Sequence, residues 1–453
     1  LFIPRRIMKG NTMSRFVFFL VILSHGVWAR RVHRSEILFQ ERIKNYEVFT
    51  PVITYGDQKQ TNLDVSIVTK TYNFIIRLTK NEQLLSSNFV STHFDSQGNE
   101  VTTEGLPNCF YYGEVVGHPS WTATISTCSG IRGSFGDMAK GSNSFYYIEP
   151  LGENKKMRSF LGQPHVLFQD NGDPGRSENS RKNTLIPNKV DQELYNWKQR
   201  VGSQSAPLII RLVIINDLAM YKKYGKDLEK TLNRAIDIVN AVDSMYKILG
   251  IRIVLVEAIT WSDGNRITVV ESDMDKTYRN FKEYVKTAST AEKDAILLLS
   301  GVVYTDDTNG MGRLNSVCDP FSLAVVRDRD ILYQTSSTTA HELGHTLGLD
   351  HDNDIKGCFC PDDQGCIMTT YSSRRAIKTL WSSCSYDEFD KLLSERKTLS
   401  CLKSDVPKTI NAHAICGNGI LEGSEKCDCG SVAECTDPCC DARKCQLKSG
   451  ANC

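Results

Sequence analysis

Residues 341–352 read HELGHTLGLDHD, from His341 through Glu342 and His345 to His351 and Asp352. A helix turns once in about 3.6 residues, so His341 and His345, four positions apart, share a face. Two imidazoles so placed can hold one metal ion, with Glu342 close enough to work on water beside it. Gly348 lets the backbone leave the helix through a left-handed conformation that a Cβ resists. The chain then doubles back and presents His351 as a third nitrogen ligand. Three neutral imidazoles leave one position of a tetrahedral zinc open, as catalytic sites do, whereas structural zinc is closed by four ligands.

Two plainer readings compete with this one. HExxH alone is a short motif with a real chance rate. Histidines can also sit hydrogen-bonded in a core, or hold a purely structural ion. Against both, the pattern through Asp352 fixes six positions, one of them a glycine needed for its conformation. Of the nine histidines in the chain, three fall in this window, and no fourth protein ligand is in register. The stretch resembles the metzincin signature HExxHxxGxxH, and Asp352 after it resembles the adamalysin or reprolysin branch. That resemblance implies a zinc endopeptidase with ligands His341, His345 and His351, in which Glu342 takes a proton from water and passes it to the leaving amine. It also implies a Met-turn at Cys366-Ile367-Met368, where Met368 forms an apolar floor under the imidazoles.

The chain has 453 residues, too many for one core, so two to four domains are expected. Its 54 basic and 53 acidic residues leave a net charge of +1, which points to neither nucleic acid nor an acidic surface as partner. The 16 cysteines are unevenly spread: two precede residue 130, and fourteen lie from Cys318 onward. That density implies an oxidising compartment and a disulfide-stapled C-terminal part.

In chain order, Met8 and Met13 are candidate starts. Arg15, the apolar run Phe16–Leu23 and Val27-Trp28-Ala29 read as a leader and signal peptide over residues 1–29, cut after Ala29. The run is too short to span a bilayer, and a buried N-terminal helix is the competing reading. Residues 30–200 read as β-rich, with strands at Val65–Val68 and Tyr72–Leu78 and a turn at 96–99. Cys109 and Cys128 are expected to pair, having no other cysteine near them. The stretch around them resembles the propeptide of the same metalloproteinases. Most of that family places a later propeptide cysteine on the zinc; no cysteine lies between Cys128 and Cys318, so latency is steric or relies on another group. Residues 170–206 read as a polar linker, with Arg181-Lys182 as a dibasic cleavage candidate.

Residues 206–403 alternate strands and helices. Leu208–Ile215, Ile251–Val256 and Ala295–Ser300 are apolar strands; 226–249 and 275–287 are amphipathic helices. Together they predict an α/β domain built on a mainly parallel twisted sheet with crossover helices. The helix carrying His341 is expected to begin near Ser336-Ser337, whose hydroxyls suit an N-cap. Asn309–Val317 resembles the edge strand on which metzincins lay an extended substrate, through Gly310, Met311 and Gly312; a glycine-rich loop without partner is the alternative. Six cysteines between 318 and 401 allow fifteen pairings, which spacing does not separate. The resemblance implies Cys318–Cys401, Cys358–Cys384 and Cys360–Cys366. The resemblance also implies a structural calcium opposite the active site, which many relatives bind at places aligned here with Arg211, Val303 and Ser404. A guanidinium in place of the cation predicts no calcium in this domain.

Residues 404–411 read as a linker. Residues 412–453 carry eight cysteines and resemble the opening of a disintegrin domain, too small to fold without disulfides or ions. There Asn418, Glu422, Glu425 and Asp428 match calcium ligands of that family, or form a solvated acidic loop. The expected whole is a secreted, zinc-dependent metalloendopeptidase made as a zymogen: propeptide, metzincin domain, partial disintegrin-like segment. Its partners would be protein or peptide substrates, and integrins or extracellular matrix through the tail. No membrane span is visible and no Asn-X-Ser/Thr acceptor occurs. The alternatives are an adhesion-modulating module with a dispensable protease, and a membrane-anchored sheddase whose anchor lies beyond Cys453.

Overall fold

The computed structural model describes residues 46–169 and 208–403, each with short breaks, and parts of 426–451. Its first part is built of strands: β1 (Tyr46–Phe49), β2 (Val52–Tyr55), β3 (Asn62–Val68), β4 (Asn73–Lys80), β5 (Leu85–Phe94), β6 (Glu100–Glu104), β7 (Phe110–Val115), β8 (His118–Ser126), β9 (Arg132–Asp137), β10 (Phe145–Pro150) and β11 (His165–Gln169). Nine of these form one antiparallel sheet in the order β1-β11-β10-β9-β8-β7-β4-β3-β2. Alternate residues of β4 are buried, Phe74, Ile76 and Leu78 turning inward, as the two-residue period of a half-covered strand requires. They pack with Tyr111, Ile125 and Phe135 in one apolar cluster. A Cys109–Cys128 disulfide joins the entrance of β7 to the exit of β8.

The second part begins with β12 (Leu208–Asn216), followed by α1 (Leu218–Lys223), α2 (Leu228–Lys247), β13 (Ile251–Thr260), α3 (Met274–Val285) and β14 (Ala295–Ser300). Then come β15 (Gly310–Gly312), β16 (Leu323–Arg327), α4 (Leu332–Leu347) and α5 (Ser383–Ser394). In β12, every residue but Arg211 is buried, the pattern of a strand covered on both faces. Strand β12 pairs in parallel with β13 and β14, and β14 in parallel with β16. Strand β15 closes one end antiparallel to β16. Asp217, Asp227 and Asp273 cap α1, α2 and α3 through backbone N–H groups three residues on, which satisfies donors a helix start leaves open. Gly250, at φ 71°, turns the chain from α2 into β13.

The sheet extends further than the segment after Pro207 can supply. Its order is β15-β16-β14-β12-β13-β5-β6, so two strands come from the N-terminal part. The turn at 96–99 connects them: Asp95 accepts the Gln97 and Asn99 N–H groups and β5 runs antiparallel to β6. Beyond residue 425, a short hairpin of β17 (Cys440–Asp441) and β18 (Gln446–Leu447) and a Cys427–Cys440 disulfide are described. Among the described residues, no helix is long and apolar enough to cross a membrane.

Arg211 leaves β12 sideways. Its guanidinium is held by Asp294, at 2.8 Å and 3.0 Å, and by Glu292 at 2.6 Å. The partners of this built-in cation are therefore not the residues aligned with it from sequence. Val303 is exposed on the loop after β14, and Ser404 lies outside the described residues.

Candidate active site

The window 341–352 straddles the end of α4. The helix begins at Leu332, a turn earlier than the serines suggest. Ser336, Ser337, Thr338 and Thr339 sit inside it and return their hydroxyls to the carbonyls four residues back, at 2.7–3.1 Å, the competing use of short polar side chains in a helix. At the other end Gly348 is left-handed, φ 104°, and its N–H reaches the Gly344 and His345 carbonyls. Leu349 N–H also donates to Gly344. This turn reverses the chain and brings His351 back to the helix.

His341, His345 and His351 converge, with one ring nitrogen of each lying within 4.8 Å of the others. The ring centroids of His341 and His345 are 4.6 Å apart, as are those of His345 and His351. The Nδ1 atoms of two rings are already engaged: His341 with the Ile367 carbonyl at 2.7 Å, His345 with the Leu349 carbonyl at 2.9 Å. A proton on each Nδ1 leaves the Nε2 lone pairs for a cation, the usual second contact of a metal-binding histidine. Burial drives His341 down to about 3 and also lowers His345, so both rings are neutral near pH 7 and ready to ligate. Nε2 of His345 and His351 stand 3.0 Å apart. Nitrogens on a tetrahedral zinc are separated by about 3.3 Å. The donor set fits one zinc ion, and any fourth position would have to be filled from outside these three rings.

The Glu342 carboxylate lies against the sheet edge at β15 and lines the same cleft as the three histidines. It is 5% exposed; burial pushes its carboxyl up to about 8, against the opposing Gly312 N–H that donates to it. A nearby divalent cation would draw that value down again. The closeness of β15 is a matter of missing atoms: a Cβ on Gly310 would stand 2.5 Å from Glu342 Oε1, and one on Gly312 2.6 Å from the Glu342 carbonyl. Gly310, Met311 and Gly312 pair with Val326, Val325 and Ala324; β15 ends the sheet, with the Gly312 N–H turned to Glu342. The strand borders a cleft of about 480 Å³ lined also by the three histidines, Arg329, Thr338 and Lys378.

Met368 is fully buried, and its sulfur lies where a side chain on Gly344 would be, 2.6 Å from the Cβ position. Sequence reading missed what holds the segment around Met368. Asp352 donates its N–H to the Met368 carbonyl at 3.0 Å, and its carboxylate accepts from Thr369 and Ser382. Tyr246 of α2 donates to the Ala340 carbonyl, and Trp381 to that of Met245, both at 2.8 Å. Disulfides Cys358–Cys384 and Cys360–Cys366 flank the same segment, and Cys318–Cys401 ties the loop before β16 to the end of the domain. Asn418, Glu422, Glu425 and Asp428 lie outside the described residues.

Two family models match the chain: "Reprolysin (M12B) family zinc metalloprotease" over residues 209–407, and "Reprolysin family propeptide" over residues 2–116. The chain belongs to the reprolysin family. It is a zinc metalloendopeptidase with its propeptide. Among solved structures it is similar to metalloproteinase-II from Bacteroides fragilis, at 12% identity over 78% of this chain and 93% of that one, with a TM-score of 0.39. A chaperone–substrate complex matches at 15% identity over 45% and 40%, with a TM-score of 0.33. Likenesses this weak say nothing further of a reprolysin's chemistry.

Proposed function

We propose that His341, His345 and His351 are the zinc ligands and that Glu342 is the general base of a peptide-bond hydrolysis carried out outside the cell. The observation that carries this reading is the buried Glu342 carboxyl, which lies against β15 and lines one cleft with the three converging imidazoles. When bound, zinc supplies Lewis acidity toward the scissile carbonyl and toward water. The protein's own groups do the rest. The free edge of β15 takes an extended peptide as a further strand and so fixes which bond faces Glu342. Glu342 accepts the proton of the attacking water and returns it to the departing amine. The carbonyls of Ile367 and Leu349 keep two imidazoles in one tautomer, and Met368 keeps water from beneath them.

The same reading divides the chain into a leader (1–29), a propeptide (30–200), a protease domain (206–403), a linker (404–411) and a disintegrin-like segment (412–453). Secretion is supported by disulfide density. The oxygen donors of Asn418, Glu422, Glu425 and Asp428 suit calcium in the last segment, and an integrin or matrix partner would be bound there. Glu342→Gln tests the central claim. The variant should keep stoichiometric zinc by metal analysis and lose about 100-fold or more of its turnover on a protein substrate. Turnover within a few-fold of the parent would remove Glu342 from the role.

A further inference from the structure

The N-terminal part is joined to the protease in a way that a removable cover would not need. Strand β5 lies beside β13 in parallel, with Glu257 opposite Val90 and Thr260 opposite His93, and the Leu255 N–H donates to Leu84. Every residue of β13 except Arg252 is buried. Without β5 this long apolar strand becomes an open sheet edge, a liability that native proteins cover. Polar contacts continue past the sheet. Arg132 of β9 meets the buried Asp237 of α2 at 3.3 Å and Glu149 of β10 at 2.7 Å. Asn81 donates to Asn240 and Asp243, both at 3.1 Å, and accepts from Arg252. The Lys247 ammonium sits 3.7 Å above the Tyr112 ring. The two parts share one apolar core, in which Phe89, Phe110 and Tyr147 pack with residues of α2, β13 and α4.

The active-site cleft lies elsewhere. Its described lining runs from Asp307 to Lys378, at the β15 end of the sheet, and β5 and β6 lie at the other end. We propose that β13 and the outer face of α2 are a lasting docking surface for residues 46–169, so that cutting between Gln169 and Leu208 leaves a two-chain enzyme with the N-terminal part bound as a non-covalent subunit. Processing then frees the connecting segment without stripping the sheet. This surface does not depend on the assignment of zinc ligands, and its test reads mass.

The experiment uses the full chain with a recognition sequence for a site-specific protease placed between residues 170 and 207. After complete cutting, both pieces should co-elute from a sizing column at the mass of the uncut protein, at 10 µM and at about 100 nM, a range set by ordinary tight interfaces. Separation into two soluble, folded pieces at either concentration would overturn the proposal. Arg132→Gln together with Asn81→Ala removes the Arg132–Asp237 ion pair and the Asn81 side-chain bonds. Uncut, this variant should keep the amide exchange protection of β7–β10; cut, it should dissociate on the order of 100-fold faster, the effect of truncating a desolvated charge pair. An exchange-protected variant that dissociates no faster than the parent would equally overturn the assignment.

Discussion

Gly344→Ala is the sharpest probe of how the metal site is supported. The new Cβ would stand 2.6 Å from Met368 Sδ, 3.3 Å from its Cε and 3.6 Å from Cζ3 of Trp381. The first distance is shorter than real contacts allow, so something must move. Met368 is wholly buried, and Trp381 behind it is 2% exposed and pinned by its bond to Met245. Overpacking of this kind costs about 1–3 kcal/mol, while the better helix propensity of alanine returns about 1 kcal/mol or less. A net loss of about 1–2 kcal/mol lowers the melting temperature of a domain this size by roughly 2–8 °C. The larger effect is on the ion. Displacing Met368 drags Ile367, whose carbonyl orients His341 at 2.7 Å, and loss of such a contact lowers metal affinity by about 10–100-fold. Chelator competition on the purified protein measures this directly. Met368→Ala alone and the double variant complete a cycle whose coupling should reach about 1 kcal/mol. Parental melting and parental zinc affinity in Gly344→Ala would refute the claim that this contact supports the site.

Asp352→Ala removes an acceptor shared by Thr369 and Ser382; it should destabilise the zinc-loaded enzyme by about 1–3 kcal/mol in thermal unfolding, with Asp352→Asn milder. His165, fully buried in β11, accepts the Ile131 N–H on Nε2, and burial lowers its pKa to about 4. A depressed histidine contributes nothing adverse above its unfolded value, about 6.5, and stability falls as pH drops from there through 4. The loss is roughly 3 kcal/mol, and His165→Gln should flatten the decline in urea unfolding of the full chain between pH 7 and pH 4.5. Removing metal with a chelator should abolish protein cleavage, and added zinc should restore it.

The metal site was legible because its grammar is local. A four-residue spacing on a helix and a glycine that reverses the chain place three rings together with no knowledge of the remaining fold. The resemblance pointed to Met368, but not to what fastens its surroundings: Asp352, Tyr246 and Trp381 act over 16 to 136 positions of chain, and no periodicity records such pairings. The start of α4 was misread for a physical reason, since a serine hydroxyl serves equally as a cap or as a partner for the carbonyl four residues behind. The three aspartate caps before α1, α2 and α3 were there to be read and were passed over. Strand β5 was harder. Its sequence announces a strand, and nothing in a strand states which of two sheets it will join. Arg211 was seen as a cation in a cation's place, while its true partners, Glu292 and Asp294, lay beside β14, away from the aligned positions.

What fixes α4 at its N-terminal end is charge rather than a cap. Ile331 offers no side-chain acceptor to the first turn. Three residues earlier Asp328, fully buried, accepts from Lys223, Tyr224, Arg234 and Thr335. Burial pushes its carboxyl up, yet Arg234 and Lys223 outweigh that and hold it below the usual range, so it stays an anion beside the positive end of the helix. Arg234 also grips the Arg329 carbonyl at 2.6 Å, tying the approach to α4 onto α2. The chain of charge runs on along α2 through Asp237 to Arg132 in the N-terminal sheet. One end of the metal-site helix is thus set by buried ions and the other by Gly348. Between two fixed ends the helix sets where His341 and His345 leave the backbone, and the carbonyls of Ile367 and Leu349 hold their rings by Nδ1.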